Sequence, residues 1–306
     1  MKIAVFGTGG VGGYYGARLA AAGEDVHFIA RGAHLNAIRT GGLRVRSANG
    51  DVRVHPAQAS ADPAEIGPVD LVMVAVKLYD TEAAAAACAP LLGPETAVVS
   101  FQNGVTAVDT LAAAVGSERV FGGLTYILAT IEQPGVIAHE GDMAKIRFGE
   151  LDGARTARVE RFEDACRRAG IDAAISDDIT ADLWIKFAFL APVSGVTSLM
   201  RLPLGPIRAD PDTRALLRAA MDEAVAVAHA RSIRLPGDLA ERHMAMVDRL
   251  PATMGSSMLH DLTHGKRLEL PWLSGTVARM GREAGVPTPT HDTIVTALKL
   301  HAAGGS

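Results

Sequence analysis

The chain has 306 residues, of which 48% are hydrophobic and 21% are charged, and its formal net charge is −4. This length favours two domains, and this composition excludes a disordered chain. The small negative charge gives no sign that nucleic acid or an anionic membrane is a partner.

Targeting segments and disulfides are not expected either. The apolar run at the N-terminus gives way to glycines after four residues, which is too short for a signal peptide. The most apolar later stretch, 187–200, contains Pro192 and Gly195 and is predicted to be too short to cross a bilayer. Cys88 and Cys166 fall in helical patterns, so we expect buried thiols in a cytoplasmic protein.

The first half of the chain alternates short apolar runs with helical patterns, which predicts a parallel sheet flanked by helices. Asn49-Gly50 indicates a hairpin with a two-residue turn within 43–54. The predicted strands otherwise cover 2–6, 25–29, 69–76, 96–101, 120–131, 136–148 and 173–176, and the predicted helices cover 11–22, 80–89, 106–115 and 154–169.

Strand patterns cease at about Asp178. The remaining patterns predict helices over 178–190, 213–231, 238–249, 268–284 and 290–302, separated by proline and glycine. The sequence therefore predicts an α/β domain over residues 1–177 and an all-helical domain over residues 178–306.

The first predicted strand runs directly into Gly7-Thr8-Gly9-Gly10-Val11-Gly12, which fits the pattern G-x-G-x-x-G. The first glycine permits a tight turn, the second lets the backbone approach a pyrophosphate, and the third allows close packing of helix on strand. The N-terminus of the following helix faces the phosphates. These six residues therefore predict a dinucleotide site in a Rossmann domain.

Arg31 follows the second predicted strand, where an NAD site would place an acidic residue against the ribose 2′-hydroxyl. No acid stands there. A guanidinium can instead bind the 2′-phosphate of NADP through charge-assisted hydrogen bonds. The sequence therefore favours NADPH as the cofactor.

Two more polar residues stand at the ends of predicted strands, Lys77 after 69–76 and Asn103 after 96–101. Ligands of open α/β sheets bind outside the carboxyl ends of the strands. If the strands are parallel, Arg31, Lys77 and Asn103 lie at one edge with the glycine loop. Such a basic, hydrogen-bonding rim suits an anionic substrate.

Motifs spread over nearly the whole chain resemble the ketopantoate reductase (2-dehydropantoate 2-reductase) family. They are Gly7–Gly12, Val76-Lys77, Phe101-Gln102-Asn103-Gly104, Trp184-Ile185-Lys186, Ser256-Ser257-Met258-Leu259 and Glu269. The resemblance implies an N-terminal Rossmann domain and a helical C-terminal domain like that of 6-phosphogluconate dehydrogenase. It also implies reduction of 2-dehydropantoate to pantoate with NADPH, on the route to coenzyme A, without a metal.

The resemblance further implies a role for each site residue. Lys186 would be the general acid, and Glu269 would support substrate binding and orientation. Ser257 and Asn103 would hold substrate groups, while Lys77 and Arg31 would contact the cofactor, as would Asn103. An ammonium suits the first role because hydride transfer builds negative charge on the ketone oxygen.

The chain departs from the family pattern four and eight residues after Lys186, where Leu190 and Ser194 replace asparagines. The three positions share one helix face if the helix stays regular, although Pro192 could end it. We expect the Ser194 hydroxyl to serve the substrate in part, since it both donates and accepts.

Three functions therefore stay open at this point. The first is ketopantoate reduction, the second is reduction of another small anionic 2-keto acid or related carbonyl compound, and the third is a non-catalytic NADP sensor. The helical domain could support a homodimer.

Overall fold

The computed structural model describes residues 1–305 and divides into two compact units. The first, Met1–Ile179, is called the sheet unit, and the second, which begins at Thr180, is called the helical unit.

The sheet unit is built on one ten-stranded sheet in the order β4-β3-β9-β8-β7-β6-β1-β2-β5, with β10 paired to β9. Its strands are β1 (Lys2–Phe6), β2 (Asp25–Ile29), β3 (Leu43–Arg46), β4 (Val52–Val54), β5 (Gln58–Ser60), β6 (Val69–Val74), β7 (Leu92–Ser100), β8 (Val120–Gln133), β9 (Val136–Gly149) and β10 (Asp172–Ile175). Its α-helices are α1 (Gly10–Ala21), α2 (Gly32–Gly41), α3 (Thr81–Ala87), α4 (Ala107–Val115) and α5 (Ala157–Arg168).

The middle of the sheet is parallel. β1 pairs with β2 on one side and β6 on the other, and β6 pairs with β7, all in parallel. β6 is buried at five of its six residues, the pattern of a strand with both faces covered by helices. The α/β prediction with its parallel sheet is confirmed, and β8 and β9 add the expected antiparallel pair.

Three local expectations need correction. The hairpin of β3 and β4 exists, but its loop runs from Ser47 to Asp51 rather than over two residues. Ser47 accounts for the longer loop, because its backbone N–H donates to the Asp51 carboxylate and its hydroxyl accepts from the Asn49 N–H. Helix α2 and the three-residue strand β5 were not predicted at all.

The helical unit contains no strand among its described residues, as predicted. Apart from α6, which starts at the boundary, its helices lie wholly within it. They are α6 (Ile179–Met200), α7 (Leu204–Ala209), α8 (Pro211–Ala230), α9 (Leu239–Arg249), α10 (Ser257–Thr263), α11 (Ser274–Ala284) and α12 (Pro289–Leu298). The short helices α7 and α10 were not predicted, and α11 begins six residues later than expected because a 3-10 turn occupies Leu270–Trp272.

Helix α6 corrects the prediction that a helix ends at Leu190. It continues through Pro192 for a total of 22 residues. A proline inside a helix removes one hydrogen bond and costs about 3 kcal/mol. Here Ala191, Val193 and Val196 are fully or almost fully buried around it, and the burial of this apolar turn offsets the cost.

By length and composition alone, α6 could also cross a membrane, contrary to the expectation from 187–200. However, 67% of its most apolar window is buried inside the protein, as in the core helix of a globular domain. Cys88 and Cys166 are buried and free, as expected.

His243 on α9 is a buried titratable group in the helical unit. Its ring stacks on Phe189, with the centroids 5.5 Å apart, and neither ring nitrogen has a partner among residues 1–305. Burial lowers the pKa of His243 to about 4 from an ordinary 6.5. The unfolded chain therefore binds a proton at this residue below pH 6.5, whereas the folded protein does so only near pH 4.

We expect His243 to reduce stability by about 2 kcal/mol when the pH falls from 7.5 to 5. Urea unfolding of wild type and His243→Leu at both pH values measures this effect. Between pH 7.5 and pH 5, the free energy of unfolding should fall by about 2 kcal/mol less in the variant than in wild type. His229→Gln, at an exposed histidine, is the control. An equal loss in wild type and His243→Leu would contradict the prediction.

Candidate active site

The carboxyl ends of four parallel strands meet at one edge of the sheet unit. β1 ends at the glycine loop, β2 leads to Arg31, β6 to Lys77, and β7 to Asn103. The pairing is parallel throughout, so the structure brings these four segments to the same edge.

The glycine loop is shaped by close approaches that exclude side chains. Gly7 has φ +99°, and a Cβ there would lie 2.7 Å from the Val76 backbone nitrogen. A Cβ on Gly10 would lie 1.9 Å from the Ala129 carbonyl oxygen of β8, and one on Gly12 would lie 2.3 Å from the Gly7 carbonyl oxygen. Helix α1 therefore packs so tightly that only glycine fits at these positions.

Gly9 differs from its neighbours because nothing lies within 4 Å of the position of a Cβ. It is the N-cap of α1, no side chain caps the helix there, and no acid stands in the first turn. Free backbone N–H groups at a helix N-terminus attract phosphate. The loop is thus open at the residue where a pyrophosphate would approach, and it fits a dinucleotide.

Arg31 occupies the N-cap of α2, directly after β2. It is exposed, and its guanidinium has no hydrogen bond or ion pair with any described residue. The side chain is therefore available to a ligand at this edge.

Gln102 ties the ends of β6 and β7 together. Its side-chain amide donates to the Val76 carbonyl at 3.0 Å and to the Thr81 hydroxyl at 2.7 Å, and its Oε1 accepts from Ser100 at 3.1 Å. These bonds fix the segments that carry Lys77 and Asn103, both of which are half-buried. Sequence reasoning quoted Gln102 within a motif but gave it no role.

His34 is a second residue that sequence reasoning missed. Its Nδ1 accepts from the Gly135 backbone N–H, in the turn between β8 and β9, at 3.0 Å. Burial lowers the pKa of His34, while the nearby polar backbone of Thr8 acts in the opposite direction, and Nε2 has no hydrogen-bond partner among residues 1–305. The imidazole thus stands between the glycine loop and the β8–β9 turn, and an isolated histidine gives no sequence signal for such a position.

In the helical unit, Lys186 lies half-buried on α6, and Glu269 is buried before the 3-10 turn that leads to α11. Burial lowers the pKa of Lys186 to about 8, because a charged ammonium is poorly solvated there, and the Glu269 carboxylate acts against this shift. Lys186 is therefore still mainly protonated at neutral pH, and it loses its proton more readily than an exposed lysine does.

Because α6 is continuous, Lys186, Leu190 and Ser194 share one side of it, as the sequence required. Leu190 is half-buried. Ser194 is fully buried, and its hydroxyl has no partner in the part of the chain that the structure describes. Its assignment to the substrate stays a prediction.

The two adjacent serines, Ser256 and Ser257, differ in their contacts. Ser256 is the N-cap of α10 and accepts from the Leu259 N–H at 3.0 Å. Ser257 is exposed, and its hydroxyl has no partner among residues 1–305. The capping role is thus filled by the first serine, and the assignment of the second to the substrate stays a prediction.

The fold and the strand-end site define a Rossmann-type dinucleotide-binding protein with a helical second unit. Residues 3–153 match the family model described as ketopantoate reductase PanE/ApbA, and residues 178–302 match its C-terminal model. The chain belongs to the ketopantoate reductase family of oxidoreductases.

Individual relatives cover almost the whole chain. A 2-dehydropantoate 2-reductase of Mesorhizobium japonicum is 35% identical over 98% of this chain and 97% of its own length. The crystal structure of a PanE/ApbA family ketopantoate reductase from Ralstonia eutropha JMP134 superposes with a TM-score of 0.91 at 32% identity, covering 99% of this chain and 98% of that one. The crystal structure of the 2-dehydropantoate 2-reductase from Geobacter metallireducens GS-15 superposes with a TM-score of 0.92 at 31% identity. This match covers 98% of this chain and 99% of that one.

Alanine at two neighbouring glycines should separate packing from ligand binding. Gly10→Ala should destabilise the protein by about 2 kcal/mol or more, because its methyl group would overlap the Ala129 carbonyl. Gly9→Ala should cost less than about 1 kcal/mol of stability, yet weaken NADPH binding by about tenfold or more by blocking the backbone approach. Urea unfolding and fluorescence titration with NADPH measure the two effects, and normal NADPH affinity in Gly9→Ala would contradict this assignment.

Proposed function

We propose that this protein reduces the ketone of 2-dehydropantoate to the hydroxyl of pantoate, with NADPH as the electron donor. The observation that carries the proposal is Lys186, a half-buried residue whose ammonium interacts electrostatically with Glu269, in a member of the ketopantoate reductase family. Several relatives that align over nearly the full chain are named 2-dehydropantoate 2-reductase, which favours this keto acid over another. No observation favours a non-catalytic sensor.

The glycine loop and Arg31 support the choice of cofactor. Gly9 and the uncapped N-terminus of α1 would hold the pyrophosphate, and the unpartnered Arg31 guanidinium would hold the 2′-phosphate. Lys77 and Asn103 would add a cation and an amide at the same edge. The reduced dinucleotide supplies the hydride when it is bound.

Lys186 would act on the substrate oxygen. As hydride reaches the ketone carbon, the C=O π electrons move onto oxygen, and the ammonium stabilises this charge and donates a proton to give the hydroxyl. Its pKa of about 8 suits this role, because a general acid works best near the operating pH. Glu269 would keep the ammonium charged and oriented, and the Ser257 hydroxyl would hold a polar substrate group.

Replacing Arg31 tests the cofactor. Arg31→Ala should weaken NADPH binding by about 1.5–3 kcal/mol and leave NADH binding nearly unchanged, because only NADPH carries the 2′-phosphate. Arg39→Ala is a matched control at an exposed arginine of α2. The Arg39 side chain already donates a hydrogen bond to the Ala59 carbonyl. Calorimetric titration with both nucleotides measures the two affinities. Equal losses of affinity for NADPH and NADH in Arg31→Ala would refute the assignment of Arg31 to the 2′-phosphate.

Replacing Lys186 tests the catalytic step. Lys186→Met, which keeps the length of the side chain without its charge, should lower the rate of 2-dehydropantoate reduction by about 10²–10⁴-fold. NADPH affinity should stay within about twofold, since the proposed cofactor residues all belong to the sheet unit. Single-turnover NADPH oxidation measures the chemical step directly, and near-normal turnover in this variant would show that Lys186 is not the proton donor.

A further inference from the structure

A chain of hydrogen bonds links helix α6 to the start of helix α10. The Thr197 hydroxyl donates to the Val193 carbonyl at 2.6 Å and lies 2.8 Å from the Ser256 hydroxyl. Since the single hydroxyl hydrogen of Thr197 goes to Val193, the Ser256 hydroxyl must donate to Thr197. Ser256 in turn accepts from the Leu259 N–H at 3.0 Å.

In this chain the Ser256 hydroxyl donates to Thr197 and accepts from the N-terminus of α10, so it is held at both ends. Thr197 is fully buried, so its hydroxyl has no access to water. Removing it would leave the Ser256 hydroxyl without its acceptor. The contact therefore favours Ser256 over its neighbour as the cap of α10.

Which of the two adjacent serines caps α10 decides where the helix begins and which hydroxyl stays unbonded. If Ser257 were the cap, α10 would begin one residue later, its first turn would rotate by about 100°, and the Ser257 hydroxyl would be consumed by a backbone N–H. With Ser256 as the cap, Ser257 is exposed and its hydroxyl is unbonded within residues 1–305.

Thr197 also lies on the side of α6 that carries the proton donor. It follows Lys186 by eleven residues, which is about three helical turns, so both residues face the same way on a continuous helix. The helix that holds the ammonium thus also fixes the segment that presents Ser257.

We propose that Thr197 is a positioning residue that, through Ser256, fixes α10 so that the Ser257 hydroxyl is presented to the keto acid. This rests on the proposed function for the identity of the substrate. Thr197 and Ser256 do not touch the substrate in this account, and they act on its binding rather than on the chemical step.

The test compares Thr197→Val, which removes the hydroxyl and nearly keeps the shape, with Thr197→Ser, which keeps the hydroxyl. Thr197→Val should raise the KM for 2-dehydropantoate about threefold to tenfold, with kcat and the KM for NADPH within about twofold of wild type. Thr197→Ser should behave as wild type. Thr293→Val is the matched control, because the Thr293 hydroxyl donates only to the carbonyl four residues earlier on α12.

A second variant removes the other partner of the hydrogen bond between Thr197 and Ser256. Ser256→Gly keeps an acceptable N-cap while removing the hydroxyl, so it should raise the same KM even if Thr197→Val folds poorly. The double variant Thr197→Val/Ser257→Ala should have a KM no higher than Ser257→Ala alone, since both changes remove the same substrate contact.

Amide hydrogen exchange at Leu259 reports the link without any need for activity. Exchange there should become about tenfold faster in Thr197→Val and stay unchanged in Thr197→Ser and Thr293→Val. An unchanged KM in Thr197→Val, or fully additive effects in the double variant, would overturn the proposal. If the wild type reduced no keto acid, the proposed function would fall, and unchanged exchange at Leu259 in Thr197→Val would separately overturn the role of Thr197.

Discussion

The proposed chemistry depends on keeping one partly buried ammonium charged. Burial works against the charge on Lys186, and the carboxylate of Glu269 works for it. The balance leaves the pKa of Lys186 near 8, so that about nine molecules in ten carry the proton at pH 7. Full exposure would have kept the lysine charged but a weak proton donor, whereas burial without a carboxylate would have lowered its pKa further.

Helix α6 holds Lys186 in place. It has to remain helical through Pro192 for Lys186 and Thr197 to lie on one side, and the apolar residues buried around the proline make this affordable. The sheet unit meets a different demand, which is the close approach of backbone to backbone at Gly7, Gly10 and Gly12. Among the four glycines of the loop, Gly7, Gly9, Gly10 and Gly12, only Gly9 has open space beside the position of a Cβ, so close packing and an open approach fall to different glycines of one loop.

The sequence was sufficient wherever the position of a residue in the fold depends on a local pattern. The glycine loop, the arginine after β2 and the polar residues after β6 and β7 were all found from short motifs and strand periodicity. Helix α2 was missed because it has glycine at both ends and only Leu35 and Ile38 buried, which leaves a weak helical pattern. The end predicted for α6 was wrong because a rule about proline gave way to tertiary packing.

Other roles could not be read from the sequence because they depend on contacts between distant segments. Gln102 acts through Val76 and Thr81, and Thr197 meets Ser256 across 59 positions of the chain. Two neighbouring serines look alike in a motif, and it takes the contacts with Leu259 and Thr197 to tell the capping hydroxyl from its neighbour.

We propose Lys186 as a proton donor whose charge is set by burial and by Glu269. The most direct test is an NMR titration of the Lys186 side-chain Cε and Nζ signals, assigned by their loss in Lys186→Met. We expect a titration midpoint near pH 8 in the wild type and a lower midpoint in Glu269→Gln. A midpoint at the ordinary value of 10.5, or one that Glu269→Gln leaves unchanged, would contradict it.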